Sequence, residues 1–514
     1  MPVSNNYTRN GRAVMSSMSG KLCSVLLLEH FGQIVQTVGN DLFEHGTKPL
    51  SFIRSTTGLP LSKVKEALCV LIKYGIVEFE QLEKSVKYSL VPENILMILR
   101  FPRFMFMAKK FCGNEAEMML EEVLKQGYET GSQIIIKTYQ KLLQTSSEQL
   151  VQIPQLIEKF ELLVKNQFLM RSVGVIIDME EPSEKTYFSL PDFNLPALQK
   201  MVNGNDADPG DSKIYWKVNF DRFTQDLRDQ VVISAITKRL DEDAGELMRQ
   251  LLYLMYLRTA SWADTSNPVP CSEIREAVKK LNYPLLTQYL DQYLRVIEED
   301  PCHFISRVGD SGGGQYSVNM KEAFEQLAWA TLENIVLERF GSKAARIFRL
   351  VRMKTYVEQE QIQQLAMIPA KEAKHLTYTL LQENYLQIQE LKKTSVSAAP
   401  TKTFFLFHID LNQVVRMEID HCYQALYNSI QRREHESNVN RRMIDKQLRI
   451  QTLTSNLKEH GATEEQLNEI AEMMTPSEKQ QLEKVQNVIK RLRGCELQIE
   501  ETLFILLMHL KYAK

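Results

Sequence analysis

The segment from Gly309 to Gly314 contains the residue types best suited to covalent chemistry. It reads Gly-Asp-Ser-Gly-Gly-Gly and nearly matches the nucleophile loop of a serine hydrolase, with Ser311 as the nucleophile. Such a serine needs a histidine base and a buried aspartate that orients the base. The three histidines that precede it, none of them in an Ala-Ala-His-Cys context, are His30, His45 and His303. We therefore interpret the segment as a glycine-rich turn between two strands, and a Ser311 hydrolase is only the third of three functional hypotheses.

Histidines and cysteines show no spacing that suits a metal ion. Cys302-His303 and His421-Cys422 are adjacent pairs, and neither spacing suits zinc. The seven cysteines include no CxxC and their number is odd, which argues against a zinc ribbon and a disulfide framework. A reducing compartment, cytosol or nucleus, follows from this. No Gly-rich nucleotide motif occurs either. We therefore expect no metal, no cofactor and no nucleotide site.

Basic residues next to aromatic ones could bind nucleic acid. Phosphates pair with lysine and arginine, and unstacked bases stack on aromatic rings. Near the N-terminus, basic residues lie on a predicted helix, in a charged turn, and in the segment that contains Phe101, Phe104 and Phe106. The candidates are Lys63, Lys65, Lys73, Lys84, Lys87, Arg100, Arg103, Lys109 and Lys110, with Lys371 and Lys374 on a later helix. The alternative is that the phenylalanines form core and the lysines only face solvent.

Length and composition bound the class of protein. The chain has 514 residues, which predicts three or four domains at roughly 150 residues each. Its 62 Lys and Arg against 64 Asp and Glu exclude a histone-like polycation and an acidic tail protein, but not a local basic face. Glycine and proline are scarce, so helices should dominate. Apolar runs are too short for a transmembrane helix. The Ser/Asn-rich start resembles a transit peptide only faintly, and we favour a disordered tail.

The elements around the first basic cluster follow a helix-turn-helix order. The periodicity predicts a helix from Lys21 that ends at Gly46, a short helix over 52–56, and a third helix from Leu61 to Tyr74. Two strands, 76–79 and 86–90, then flank a charged turn. A helix, a short helix, a helix and a β-hairpin form the winged-helix order.

The same order recurs along the chain. First helices begin near 20, 115, 219 and 321, and repeats of this size indicate duplicated domains. In the second repeat the strands are predicted over 168–177 and 186–190. We expect a mainly α fold with small β-hairpin wings, built of four tandem winged-helix domains and a C-terminal antiparallel coiled-coil hairpin. The divisions are a disordered tail (1–18), winged helix 1 (19–112), winged helix 2 (113–201), a polar linker (202–213), winged helix 3 (214–319), winged helix 4 (320–409) and a coiled coil (410–514).

The last hundred or so residues show a heptad seam instead of strands. Its apolar positions are Leu482, Val485, Ile489, Leu492, Ile499, Leu503 and Leu506. An apolar stripe upstream predicts a second long helix, and the two capping boxes between them begin at Thr463 and Thr475. We interpret the region as two long helices folded back on each other. A plain globular helical domain is the alternative.

Several long strings resemble one known family. They are ALCVL (67–71), IYWKVNFDRFTQDLRDQ (214–230), GDSGGGQY (309–316), LERFGSKAARIFRLV (337–351) and AMIPAKEAK (366–374). In this order they resemble the RPC-three subunit family of RNA polymerase III, from about residue 20 to the end. Members of that family have a long basic insert between modules two and three, where this chain has only Asn203 to Ser212. Any role of that insert, nuclear import included, is therefore in doubt here.

The resemblance implies a function without catalysis. It implies a nuclear subunit similar in role to the α subunit of TFIIE, held in a heterotrimer with two other polymerase III subunits and docked near the clamp of the largest subunit. There it would help to recruit polymerase to promoters and to open DNA, with promoter DNA bound single-stranded or non-specifically and with no membrane contact. The rival hypothesis is a free-standing transcription regulator built of tandem winged helices. Such a regulator would footprint a defined sequence, whereas a subunit would co-purify with polymerase.

Overall fold

The computed structural model describes residues 17–82, 85–145, 152–172, 187–202, 209–211, 213–281, 283–392, 403–459 and 473–513. The chain forms two compact units, which are divided between Leu227 and Arg228. The first unit contains two winged-helix modules. The second contains two more modules and the C-terminal helices. Helices dominate both units, as the scarcity of glycine and proline predicts.

Module one has the predicted order, with one additional break. A three-stranded antiparallel sheet of order β1-β3-β2 packs beside its helices. Its elements are α1 (Ser17–Phe31), α2 (Gln33–His45), β1 (Lys48–Pro49), α3 (Leu50–Thr57), α4 (Leu61–Lys73), β2 (Val77–Leu82), β3 (Ser85–Leu90), α5 (Pro92–Leu96), a 3₁₀ turn (Met97–Arg100) and α6 (Phe101–Cys112). The buried stripe of α4 is Val64, Ala67, Leu68 and Leu71. The third helix of the winged-helix fold is therefore anchored by an apolar face.

The predicted first helix is in fact two helices. Gly32 separates α1 from α2, with φ +85° and ψ 175°. This left-handed φ favours glycine, and the pitch of the helix is lost there. The same junction recurs at Gly113, just before the helix that begins at Asn114, and at Gly341, just before the helix that begins at Ser342. A glycine that ends one helix and starts the next is thus part of the internal repeat.

Module two is completed by a strand that the sequence assigned to module three. Its elements are α7 (Asn114–Gln126), β4 (Tyr128–Thr130), α8 (Gly131–Thr145), α9 (Ile153–Lys165), β5 (Leu169–Arg171), α10 (Leu195–Val202) and β6 (Tyr215–Val218). The sheet order is β4-β6-β5. The strand predicted over 186–190 is wrong where it is described, since residues 187–190 are not extended in a sheet.

The polar linker therefore does not divide modules two and three. Buried Asp211 accepts a hydrogen bond from the backbone N–H of Ser132, 2.7 Å away, at the start of α8. Strand β6 then pairs with both β4 and β5. The strand pairing moves the end of module two from 201 to 218. The other domain divisions remain our proposal from the sequence.

Module three contains a helix that the sequence analysis missed. Between α11 (Phe220–Arg239) and the short strand lies α12 (Glu242–Tyr256), which begins with the N-cap Asp241. Its buried apolar residues recur every three or four positions, so the helical pattern is present in the sequence and the sequence analysis overlooked it; they are Ala244, Leu247, Met248, Leu251, Leu252 and Met255. The remaining elements are β7 (Val269–Pro270), α13 (Cys271–Lys279), α14 (Pro284–Gln288), α15 (Leu290–Glu298), β8 (Ile305–Gly309) and β9 (Gln315–Val318). The sheet order is β7-β9-β8.

Module four repeats the pattern with a shorter first strand. Its elements are α16 (Met320–Phe340), α17 (Ser342–Lys354), α18 (Gln359–Leu365), α19 (Ala370–Gln382), β10 (Gln387–Lys392) and β11 (Thr403–His408). An isolated bridge from Val357 to Phe407 stands where β1 stands in module one. All four modules thus share one topology, and the predicted fold class is confirmed. No helix in the described ranges combines the length and the apolar character needed to span a bilayer.

The C-terminal region is a helical hairpin. Its first arm is α20 (Leu411–Val439) continued by α21 (Arg441–Glu459), and its second arm is α22 (Pro476–Tyr512). Asn412 lies 3.1 Å from His509, and Lys446 lies 2.8 Å from Glu478, so the arms run antiparallel. The predicted capping box at Thr475 is present, with Pro476 in the first turn. The box predicted at Thr463 lies outside the described residues.

Burial along the seam is lowest in its middle. Leu482, Val485, Leu503 and Leu506 are buried, whereas Ile489, Leu492 and Ile499 between them are half-buried. The last turns of α22 also pack on α16, where the ring of Phe324 stacks on that of Tyr512 at 5.7 Å. Helix α16 thus adds to the enclosure of the C-terminal end of the seam.

A buried arginine fastens the end of α22. Arg228 is fully buried and donates to the Tyr512 hydroxyl at 2.9 Å and, through Nε, to Asp229 at 2.9 Å. Its guanidinium also donates to the hydroxyl of Tyr256 and lies 5.1 Å from the ring centre of Trp262. Burial acts to lower the pKa of Arg228, but Asp229 and the tyrosines outweigh it and raise that pKa. The charge therefore stays in place.

The glycine-rich segment is a turn in the wing of module three. Gly312, Gly313 and Gly314 have φ of +68°, +86° and +111°, which side chains with a Cβ rarely adopt. Ser311 is exposed and starts a single 3₁₀ turn between β8 and β9. A Cβ at Gly314 would lie 3.2 Å from the ring of Tyr316. The glycines are needed for the backbone conformation of the turn, and the turn does not depend on the side chain of Ser311.

We expect Gly314→Val to lower the free energy of unfolding by about 1–3 kcal/mol, because it forces a strained backbone. Ser311→Ala should stay within about 0.5 kcal/mol of the parent chain, because its side chain is exposed. Chemical denaturation of the full chain measures both. Covalent labelling of Ser311 by a fluorophosphonate would contradict the structural interpretation.

Candidate nucleic-acid interface

The third helix of module one presents basic side chains to solvent. Lys63 and Lys65 lie on the exposed face of α4, opposite its buried stripe. Lys63 Nζ lies 2.8 Å from Glu66, an exposed pair that contributes little to stability. The first turn of α4 contains no acidic residue, so its backbone N–H groups favour an anion. This end of α4 is therefore suited to phosphate contact.

The neighbouring helix α3 adds groups that the sequence analysis missed. Ser51, Arg54 and Ser55 line an open depression between α3 and the Gly58-Leu59-Pro60 turn. In helix-turn-helix proteins the helix before the recognition helix crosses the DNA backbone. Because Arg54 is exposed on that helix, the geometry of the motif could have indicated it. We name Ser51, Arg54, Ser55, Lys63 and Lys65 together the module-one basic surface.

The wing adds less positive charge than the sequence suggested. Lys87 is exposed on β3, but Glu80 lies directly opposite it on β2. Lys84 lies outside the described residues. The ring of Phe79 is exposed on the same hairpin. Cross-strand pairing of Lys87 with an acid weakens its case as a phosphate contact.

Lys73 belongs to a different surface. It is the last residue of α4, and its ammonium lies 5.4 Å from the ring centre of Tyr128 in module two. The side chain is half-buried. Lys73 is thus separated by the length of the helix from Lys63 and Lys65.

The segment from Arg100 to Lys110 is mostly structural. Arg100 is only 7% exposed, with its guanidinium 3.7 Å from the sulfur of Met97, so its place among the candidates is wrong. Arg103 is half-buried, and Lys109 pairs with Glu117 at 3.0 Å. Lys110 is exposed. The sequence alone could not distinguish these positions, because the identity of a charged residue does not show whether its side chain is buried.

The three phenylalanines of this segment have different environments. Phe104 is fully buried and stacks on Phe223 at 4.9 Å. Phe101 is half-buried and stacks on Phe220 at 5.7 Å. Phe106 is 65% exposed. Only Phe106 among the three is therefore available to stack on a base, and the other two form core.

Module four presents a second basic third helix. Lys371, Lys374 and His375 are exposed on α19 together with the ring of Tyr378. The acid in the first turn, Glu372, pairs with Lys343 on α17 and is partly neutralised. The exposed face of α19 is thus basic with one aromatic ring.

The basic side chains of another helix of the same module mostly contact residues within that module. Helix α17 contains no acidic residue, yet most of its basic side chains bind other parts of the module. Arg346 donates to the carbonyl of Ala366 at 3.1 Å. Arg349 pairs with Glu333, and Arg352 lies over the ring of Trp329 at 4.8 Å. Net charge along the sequence therefore overstates what this helix offers to a ligand.

The third helices of modules two and three are not basic. In α9, Lys159 donates to the carbonyl of Cys112 at 2.9 Å, and Lys165 pairs with Glu161. In module three, α14 and α15 expose apolar and aromatic side chains; they are Leu285, Tyr289 and Val296. Asp291 pairs with Arg275 on the same surface. Such mixed surfaces suit contact with protein better than with phosphate.

No catalytic or metal centre is visible in the described part of the chain. No three side chains from His, Cys, Asp and Glu converge there as a metal site. Large pKa shifts belong to structural groups. Burial, with a smaller effect of Glu93, raises the pKa of Cys23 to about 12. A hydrogen bond to Asp241 does the same for Tyr293.

Comparison with family profiles places four regions of the chain in one group of proteins. The profiles are described as an RNA polymerase III subunit RPC82 helix-turn-helix domain (residues 21–82), RNA polymerase III subunit RPC82 (196–327), a POLR3C C-terminal winged-helix domain (332–409) and a helical hairpin domain of DNA-directed RNA polymerase III subunit RPC3 (442–505). These ranges fall on module one, the end of module two with module three, module four, and the hairpin.

Relatives match nearly the whole chain. The DNA-directed RNA polymerase III subunit RPC3 of Bos taurus is 36% identical over 525 residues, which cover 96% of this chain and 98% of the relative. The human subunit is 35% identical, and that of Danio rerio 36%, with the same coverage of both chains. A Dictyostelium discoideum subunit is 23% identical over 46% of this chain.

We expect Phe104→Ala to destabilise the first unit by about 3–5 kcal/mol, because it removes a buried ring. Phe106→Ala should change stability by no more than about 0.5 kcal/mol, because the ring is exposed. Urea denaturation of the full chain, followed by circular dichroism, measures both. Equal effects of the two substitutions would contradict the assignment of core and surface.

Proposed function

This chain belongs to the RPC3 family of RNA polymerase III subunits, and we propose that it acts as the scaffold of a three-subunit initiation subcomplex that recruits polymerase to promoters and helps to open DNA. As a member of that family it is a non-catalytic subunit and partners other polymerase III subunits. We further propose that two of those subunits form the subcomplex with it, that it docks near the clamp of the largest subunit, and that it works in the nucleus.

The charge on the third helix of each module supports different binding partners for different modules. Helices α4 and α19 expose lysines without a dominant acid, which suits the negative charge of DNA. Helices α9 and α15 expose neutral, apolar or paired side chains. We therefore assign modules one and four to DNA and modules two and three to neighbouring subunits. The winged-helix fold alone does not decide between these roles.

The DNA contact should be electrostatic and tolerant of sequence. The module-one basic surface offers ammonium, guanidinium and hydroxyl groups, which pair with phosphate and carry no base code. Both modules expose aromatic rings, among them Phe52 on α3, Phe79 on the wing and Phe106 on α6 in module one, and Tyr378 on α19 in module four. Stacking on a ring adds about 1–3 kcal/mol per base and favours single strands. This combination suits a protein that holds promoter DNA during opening, whereas a free-standing regulator would need base-specific contacts.

We expect the full chain to bind DNA in the non-specific range, about 10⁻⁴–10⁻⁶ M, with affinity falling steeply as salt rises. The double change Arg54→Glu with Lys65→Glu should weaken binding to all sequences and lower the salt slope by about one per lost phosphate contact. Lys371→Glu with Lys374→Glu should act in the same way. Fluorescence anisotropy with single-stranded and duplex oligonucleotides across a salt series measures both.

The matched control is Lys200→Glu with Lys213→Glu, which reverses two exposed lysines of module two. This control should leave the salt slope unchanged. A slope that neither test variant alters would assign modules one and four to protein contact as well.

A further inference from the structure

The first unit contains a cavity that the DNA surfaces do not use. It has a volume of about 930 Å³ and lies between modules one and two. On one side are the end of α4 and strand β2, and on the other is the outer face of the module-two sheet. A volume of this size is typical of ligand sites in proteins.

The module-two wall combines apolar groups with an unpaired cation. In the strand register Lys217 lies beside both Tyr128 and Met170, so the three side chains share the face that lines the cavity. In the described part of the chain no carboxylate lies within salt-bridge distance of Lys217. The side chain is accessible to solvent, but the surrounding walls lower the pKa of its ammonium by desolvation. Lys73 lies over the ring of Tyr128 nearby.

The module-one wall offers a free strand edge. Strand β2 is at the edge of its sheet. The N–H of Val91 donates to the carbonyl of Ile76 at 2.8 Å, so residues 76 and 91 form a hydrogen-bonded pair across the antiparallel ladder. Hydrogen-bonded pairs alternate along such a ladder. The backbone groups of Val77 and Phe79, which line the cavity, therefore point away from β3 toward the free edge.

We propose that this cavity binds an extended segment of another polymerase subunit, which adds a strand to β2 and places an acidic side chain, flanked by apolar ones, against Lys217. An added strand takes its affinity from main-chain hydrogen bonds and its specificity from pockets for alternate side chains. Here the pockets are bounded by Phe79 and Tyr128. The unpaired ammonium supplies the charge complementarity.

The other charges of the cavity favour a peptide over nucleic acid. Glu78, Glu121 and Asp221 also line it, and Glu121 pairs with Lys125 at 2.8 Å. Lys73, Lys125 and Lys217 line the cavity as well, so its acidic and basic groups balance in number. A balanced lining offers little net attraction to the regularly spaced phosphates of a DNA or RNA strand, whereas a peptide with one acid between apolar residues needs only Lys217. The proposal rests on the role of the chain as a polymerase subunit, but not on its contact with DNA.

The test places a photo-cross-linking residue, p-benzoylphenylalanine, at position 79 or at position 128 of the full chain in affinity-purified polymerase, so that Lys217 stays in place. We expect both positions to cross-link to one segment of one other subunit, and that segment to contain Asp or Glu between apolar residues. Lys217→Glu should reduce the yield from position 79 by about tenfold or more, because it replaces attraction with repulsion. Lys200→Glu, an exposed lysine of the same module away from the cavity, should not change the yield.

A cross-link to DNA, to a second copy of this chain or to residues 173–186 of this chain would overturn the proposal. So would the absence of any cross-link in a chain that co-purifies with polymerase. The cross-linking result does not depend on whether the chain binds DNA in the salt series. The proposal for this cavity and the proposal of DNA contact can therefore fail independently. If Lys217→Glu does not alter the cross-linking yield from position 79, the occupant does not place an acidic side chain against Lys217, and that part of the proposal is wrong.

Discussion

The second compact unit depends on how the end of helix α22 is held. Arg228 is buried without access to water, and its charge is compensated by Asp229 and by the hydroxyls of Tyr256 and Tyr512. Removing Asp229 would cost about 3–5 kcal/mol, since an uncompensated charge would remain buried, and removing a tyrosine hydroxyl would leave a buried donor without its acceptor. The last turn of α22 therefore has one favourable position, between the start of module three and helix α16. The ring of Tyr512 also stacks on that of Phe324, and the apolar surface that this contact buries helps to hold the end of α22 in place.

This fastening accounts for the burial at the C-terminal end of the seam. Near Leu503 and Leu506, helix α16 joins the two hairpin arms around the apolar positions, whereas the middle of the seam, near Ile489, is half-buried. The third helix of each module buries one face in its own module and leaves the other exposed to solvent. The charge of the exposed face differs between the modules. It is basic in modules one and four and neutral or apolar in modules two and three.

Local patterns predicted much of this structure, and non-local pairing explains most of what they missed. The apolar stripe of α4, the wing hairpin of module one and the capping box at Thr475 are short-range features, and each is present. Strand β6 was not predicted, and its residues were placed in winged helix 3, because its partners β4 and β5 precede a long intervening segment. Among the site residues, Lys63 and Lys65 are exposed as expected, whereas the burial of Arg100 and the contribution of Arg54 depend on tertiary geometry. A cavity between two modules leaves no pattern in the sequence.

Hydrogen exchange of the full chain with Tyr512→Ala tests the central claim most directly. The account predicts that amides in α16, α20 and the residues of α11 from Arg228 onward lose protection together, by about 3–5 kcal/mol in opening free energy, because one network holds them. Val488→Ala, an exposed position on the same helix, should leave that protection unchanged. Loss of protection confined to the last turn of α22, with α16 and α20 as protected as before, would contradict the account.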